Sequence, residues 1–276
     1  MTFFEAILLG IIQGVTEFLP ISSSGHLVVI RDWFGITEAA LSFDAVIHLG
    51  SLLAVMVAFH SELRAIVRGL TGARDDEAKE GRKLLRYLVL ATLPLVVAAL
   101  FFRDTVALAF ESTLFTALML YFTGALLLYA EKRPPPRIEL VPSRRHVLAM
   151  GFAQILALLP GLSRSGMTIG AGMLAGLSRV QAARFSFLMS IPAILGASLF
   201  ELTHVARASA GPGGLPGEEL AQTISTGALI TGTVTSLIAS YLSIVVLLRF
   251  LKSGRLVGFA IYTWVLATLL LVLEVF

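Results

Sequence analysis

The sequence contains no cysteine, which removes disulfides, thiolate metal sites and a cysteine nucleophile together. It is also poor in charge. Asp, Glu, Lys and Arg make up 14% of the 276 residues, against roughly 25% in soluble domains, while hydrophobic residues reach 57%. With a mean hydropathy of +0.87, that deficit excludes a disordered chain, argues against a soluble globule and leaves a polytopic membrane protein. The charges are nearly balanced, 21 Lys and Arg against 18 Asp and Glu. The basic residues sit in loops between apolar segments, a membrane-topology pattern rather than a nucleic-acid-binding surface. The start, Met1-Thr2-Phe3-Phe4-Glu5, has neither a basic leader nor a small-residue cleavage site, so it reads as retained structure.

What is present is a set of long apolar runs. Six are long enough to cross a hydrocarbon core about 30 Å thick: approximately Phe43–Phe59, Leu85–Phe102, Leu114–Tyr129, Phe185–Leu202, Ile224–Leu248 and Leu256–Val275. The charge-dense His60–Arg86, the Glu131–His146 stretch with Pro134-Pro135-Pro136, and the Gly- and Pro-rich Ala208–Glu219 read as solvated connectors. Two further apolar segments are broken. Glu5–Pro20 is followed by Ile21-Ser22-Ser23-Ser24-Gly25-His26 and a short run to Phe34, and His146–Pro160 by Gly161-Leu162-Ser163-Arg164-Ser165-Gly166 and Met167–Leu177. Backbone without helical hydrogen bonds is tolerated at membrane depth only inside protein or beside a wet cavity. The lengths therefore predict two re-entrant helical hairpins beside six full transmembrane spans, an all-α polytopic membrane protein forming one integral domain over residues 1–276.

The broken segments resemble each other. At an offset of 141, Gly10, Gln13, Ser22, Ser24 and Gly25 fall on Gly151, Gln154, Ser163, Ser165 and Gly166, and Phe43 falls on Phe185 at 142. This predicts an internal duplication, with pseudo-repeats over approximately 1–130 and 146–276. With both hairpins re-entrant, 17 of the 21 Lys and Arg share one side, Arg31, Arg103 and Arg207 take the other, and Arg164 lies in the second break. If each broken segment crossed once, the split would be far weaker. The positive-inside rule makes the 17-residue side cytoplasmic and places both termini outside. Three spans separate the hairpins, so they enter from opposite faces as an inverted-topology repeat whose tips meet near the midplane. The expected site is built from Glu17–His26 and Ser163–Thr168.

Ionised side chains at that depth need compensation. Glu17 and Arg164 are natural partners across the two tips, with His26 beside them. Asp44 and His48, one turn apart on a span, read either as polar glue between helices or as supporting groups. Gln13 and Glu17 at i and i+4 share a helix face and suit a hard cation, Mg²⁺ or Ca²⁺. Ser22, Ser23 and Ser24 precede a half-helix whose N-terminus favours anions. Ser163-Arg164-Ser165 repeats that cradle with a guanidinium shaped for phosphate. Two anion cradles, a cation site, a hydroxyl and an imidazole point to phosphoryl transfer. His60, His146 and His204 read as interfacial. Gly166/Gly170 and Gly172/Gly176 read as close-packing pairs, and Trp33, Tyr129, Tyr262 and Trp264 as aromatic belts.

The run Gln13-x-x-x-Glu17-Phe18-Leu19-Pro20-Ile21-Ser22-Ser23-Ser24-Gly25-His26, together with Pro160-Gly161-Leu162-Ser163-Arg164-Ser165-Gly166-Met167-Thr168, resembles the undecaprenyl-diphosphate phosphatase (bacitracin-resistance) family. Phe43-Asp44 with His48-Leu49-Gly50, and Phe259-Ala260-Ile261-Tyr262, extend the likeness over most of the chain. The resemblance implies a cation-dependent enzyme of the bacterial inner membrane that removes the terminal phosphate of the C55 isoprenoid diphosphate, giving the monophosphate carrier for peptidoglycan precursors. It implies Glu17 as the acidic residue, Ser23 as nucleophile, His26 as the histidine closing the serine loop and Arg164 as the phosphate-binding arginine. Ser22, Ser24, Gly25, Ser163, Ser165 and Thr168 are then substrate-binding positions. Gln13 stands where many members have Glu, and Thr263 where members often show Arg. Phosphohistidine formation at His26, a lipid-phosphate flippase built on the same repeat, and a homodimeric assembly are left open by the sequence.

Overall fold

In the computed structural model, residues 1–36, 40–110, 112–133, 142–209 and 224–275 are described. Pro134–Pro136 and residues 210–219 of the predicted connectors lie outside these, and so does the side chain of His204. The described residues form helices and no strand. In chain order they are α1 (Phe3–Phe18), α2 (Ser23–Phe34), α3 (Ala40–Ala58), α4 (His60–Leu70), α5 (Asp76–Phe101) and α6 (Arg103–Phe110). There follow α7 (Thr113–Glu131), α8 (Arg144–Leu156), α9 (Arg164–Ala175), α10 (Arg179–Ser209), α11 (Thr226–Phe250) and α12 (Val257–Val275).

Each of the six apolar runs falls on one helix. α5, α7, the Arg179–Glu201 part of α10, and α11 are long and apolar enough to cross a membrane, α3 is bent 80° from α4, and the apolar part of α12 is Val257–Leu273. Polarity is distributed inside out. α5 exposes Val89, Leu93, Val96, Leu100 and Phe101, whereas Gln13, Ser163, Ser165, Thr168, Ser186, Ser236 and Ser240 are buried. An apolar solvent outside and hydrogen-bonded polar groups inside is the arrangement that lipid favours.

The broken segments behave as half-helices. α1 stops before Pro20, which has no N–H to donate into a helix, and α2 starts at Ser23; α8 stops at Leu156, and α9 starts at Arg164. Each half of the chain packs into the other. α1 lies on α11 and α8 on α5, with α3 on α10 and α7 on α12. The contacts obey the repeat offset. A Cβ on Gly10 would meet the Gly232 carbonyl oxygen at 2.6 Å, and one on Gly151 the Ala91 carbonyl oxygen at 2.8 Å; Ala91 and Gly232 are themselves 141 apart. Phe187 meets Phe18 edge-on at 5.3 Å, joining α10 to α1 beside Glu17.

Two sequence expectations need correction. His60–Arg86 is not a plain connector but mostly helix. α4 lies against α5 where Gly81 has no room for a Cβ beside the Ala65 carbonyl. Asp75 caps α5, and its bonds from the Ala78 N–H and from Arg68 hold its carboxyl below the ordinary value. Gly176 does not serve close packing: with φ +113° it caps α9 in the left-handed region, and no atom lies within 3.4 Å of a Cβ built there, a position glycine takes without steric penalty.

At Gly14, a Cβ would stand 2.6 Å from the Ser236 carbonyl oxygen and 2.8 Å from the Ser240 nitrogen. Gly14→Val is therefore expected to destabilise the protein by about 1–3 kcal/mol, read as a lower melting temperature in detergent. Gly196→Ala, with nothing within 4 Å, should leave it unchanged or higher.

Candidate active site

The site forms where the two breaks meet. α1 places Gln13 and Glu17 one turn apart on its buried face. Pro20 releases the chain, Ser22 takes φ +69°, a left-handed conformation uncommon outside glycine, and α2 turns back. On the other side Gly161 takes φ +85°, and a Cβ there would collide with the Thr116 carbonyl oxygen at 2.2 Å. Thr123 on α7 braces this turn, accepting the Ser163 N–H at 3.2 Å. Ser163 caps α9 by accepting the Gly166 N–H at 3.1 Å, and Arg164 projects from the first turn.

Glu17 is the hub. Its Oε1 accepts from Arg164 Nη2 at 2.7 Å, with side-chain exposures of 8% and 15%. Its Oε2 accepts from Ser23 Oγ at 2.8 Å and from Gln13 Nε2 at 3.0 Å. Ser23 and Arg164 occupy equivalent positions in the 141-residue repeat, so the two halves hold opposite oxygens of one carboxylate. The flanking serines match too: Ser22 and Ser24 hydroxyls lie 3.2 Å apart, and Ser163 and Ser165 hydroxyls 3.1 Å. Ser165 also donates to the Leu19 carbonyl at 2.8 Å, tying one break to the other. Thr168 shares a hydrogen bond with Ser186 at 2.6 Å, and the Ser186 carbonyl accepts from Arg164 at 3.5 Å. Gly25 is buried near Ser22 and Leu120, with room for ordinary contacts.

His26 stands apart from this hub. Its Nδ1 faces the Ser22 carbonyl at 2.7 Å, so that nitrogen carries the proton, and its Nε2 meets the Tyr262 hydroxyl at 2.7 Å. No hydrogen bond joins His26 to Ser23 or Arg164 among the described residues. The imidazole at the hub is His48, whose Nε2 lies 3.7 Å from Glu17 Oε2. Asp44 pairs with Arg31. Sequence reasoning missed Tyr262, read as a belt residue, together with Ser186 and Thr123, and left His48 undecided. For Tyr262 the only signal was its place in the Phe259–Tyr262 motif; Ser186 and Thr123 gave none.

Next to His26 and Tyr262 runs an apolar groove of about 610 Å³, lined by Ile11, Val15, Ile21, Phe250 and Phe259. An ion-paired polar hub, two facing helix N-termini and an apolar groove beside them can take a molecule with an anionic head and a hydrocarbon tail.

These features define a multi-pass helical membrane protein with a buried, ion-paired site between two helix breaks. The chain belongs to the bacitracin resistance protein BacA family, whose model matches residues 6–269. It is 38% identical to undecaprenyl-diphosphatase 1 of Shouchella clausii, over 99% of this chain and 97% of that protein. It is 35% identical to the undecaprenyl-diphosphatase of Carboxydothermus hydrogenoformans, over 99% and 98%. To that of Desulfosudis oleivorans it is 39% identical, over 95% of each.

Removing one partner of a buried pair leaves a charge uncompensated, at about 3–5 kcal/mol. Arg164→Met is thus expected to lower the melting temperature in detergent sharply. The double variant Glu17→Gln with Arg164→Met should recover most of that loss.

Proposed function

We propose that this chain hydrolyses undecaprenyl diphosphate to undecaprenyl phosphate and inorganic phosphate, recycling the lipid carrier for peptidoglycan synthesis in the bacterial plasma membrane. The observation that carries this reading is the Arg164–Glu17–Ser23 chain of contacts at the facing N-termini of α2 and α9. The relatives named above carry the matching activity in their names.

In this reading the diphosphate lies between the two breaks. Arg164 and the free backbone N–H groups of α2 and α9 neutralise it, with Ser22, Ser24, Gly25, Ser163, Ser165 and Thr168 shaping the cradle. Glu17 accepts the Ser23 hydrogen bond and orients Oγ towards the terminal phosphorus. Ser23 attacks as its proton passes to Glu17 Oε2, the bridging P–O bond breaks and the lipid phosphate leaves; water then cleaves the phosphoseryl ester, and Glu17 returns the proton to Ser23 Oγ. His26 and Tyr262, which line the groove, stand on the leaving-group side, where the Tyr262 hydroxyl, held by His26 Nε2, can hydrogen-bond the departing lipid phosphate. The groove holds the first isoprene units. Ser23, donating to Glu17, is better placed as nucleophile than His26, whose nitrogens are both engaged.

Gln13 and Glu17 suit a divalent cation, Mg²⁺ or Ca²⁺. Both supply oxygen, and Gln13 Oε1 is buried without a hydrogen-bond partner. Bound with substrate, such a cation would supply further charge neutralisation at the diphosphate. Among the described residues no three His, Cys, Asp or Glu side chains form a ready cage, so such an ion would need phosphate oxygens as further ligands.

The same reading makes the broken segments re-entrant hairpins of an inverted repeat beside six spans, with both termini on the outer face. The swapped packing of α1 on α11 and α8 on α5 supports it, as does the 17-residue cytoplasmic charge bias.

Purified protein in detergent should release phosphate from C55 diphosphate, and chelator should suppress that release. Arg164→Ala should lower kcat/KM about 10²- to 10³-fold. Normal turnover by that variant would refute the scheme, and substrate binding without phosphate release by the wild type would favour the flippase. Val15→Trp, in the groove that holds the first isoprene units, should raise KM for the C55 substrate and for a C15 diphosphate alike.

A further inference from the structure

The cation reading leaves one neighbour of the hub unused. His48 projects from α3 with Nε2 3.7 Å from Glu17 Oε2, while its Nδ1 lies 2.6 Å from the Asp44 carbonyl one turn back. A carbonyl only accepts, so Nδ1 carries a hydrogen and Nε2 is the ring nitrogen turned towards Glu17. Metal-binding histidines are held in this way, one ring nitrogen donating to a carbonyl and the other free for the ion. Gln13 provides an independent sign. It is fully buried, and its amide offers Nε2 to Glu17 Oε2 at 3.0 Å while Oε1 has no hydrogen-bond partner. A half-turn of the amide brings Oε1 to the same place. Two oxygens would repel there, unless a cation lay between them.

Resting on that cation reading, we propose that His48 Nε2 is a third protein ligand, with Glu17 Oε2 and Gln13 Oε1, of the divalent-cation site. Ligands about 2.1 Å from an ion stand about 3 Å apart when adjacent in an octahedron and about 4.2 Å when opposite. The separations of 3.0 and 3.7 Å need only small side-chain adjustment to fit. Mixed imidazole and oxygen donors favour Mn²⁺ or another first-row ion over Ca²⁺. Arg164, bound to the other oxygen of Glu17, disfavours the ion alone, so the site fills together with an anionic headgroup.

The test uses Mn²⁺ and the full-length protein in detergent, with the methylene-bridged bisphosphonate analogue of farnesyl diphosphate. Electron spin-echo spectroscopy reads nitrogen coupling to the bound Mn²⁺, and the free Mn²⁺ signal gives affinity. Wild type should show coupling to one imidazole nitrogen. His48→Gln should lose it and bind Mn²⁺ at least about tenfold more weakly; His26→Gln should keep it. Bound Mn²⁺ without nitrogen coupling in wild type, or coupling that survives in His48→Gln, would overturn the His48 assignment while leaving Gln13 and Glu17 as ligands. No Mn²⁺ binding by wild type would overturn both.

Discussion

The ion pair between Glu17 and Arg164 is the constraint around which the rest is arranged. Neither charge is stable alone in an apolar interior, and breaking such a pair is far more harmful than never having built it. Each partner is further satisfied: Glu17 by Ser23 and Gln13, Arg164 by the Ser186 carbonyl. A pair so placed contributes little net stability over apolar packing. What it supplies is a positive group at a fixed point beside the Ser23 hydroxyl, which the same carboxylate orients.

Bringing those residues together needs two helix breaks side by side, and the helix packing supplies them. α1 leans on α11 and α8 on α5, so the first half-helix of each broken segment is seated mainly on the other half. The close approaches at Gly10 and Gly151, facing positions 141 residues apart, give both half-helices the same seat. Phe18 and Phe187, the neighbours in sequence of Glu17 and Ser186, pack edge to face. Ser163 and Ser165 repeat the Ser22 and Ser24 contact, so the two breaks carry matching pairs of hydroxyls.

Much of this was legible in the residues. A proline, a glycine and three serines inside apolar runs too short to span mark the breaks, and two buried charges of opposite sign near those breaks call for each other. The helix ends at Phe18 and Leu156 fall close to where Pro20 and Pro160 require them. Other features depend on tertiary contact and leave no periodic trace. α4 reads as a charged connector because its charges pair with the following segment, as Arg64 does with Glu77 and Arg68 with Asp75. Tyr262 looks like any interfacial tyrosine until α12 sets its hydroxyl against His26. Ser186 is one serine in an apolar span, and His48 gains meaning only when α3 lies beside α1.

The most direct test of the central claim, that the two breaks converge, uses the absence of cysteine. Leu19→Cys and Ser165→Cys place one thiol in each break, where the Ser165 hydroxyl now reaches the Leu19 carbonyl at 2.8 Å. Mild oxidation followed by denaturation and a mass-adding maleimide counts the thiols left free. The expected result is an unshifted band, with both thiols consumed in one intramolecular disulfide. Two freely labelled thiols after oxidation would contradict convergence of the breaks, and with it the site.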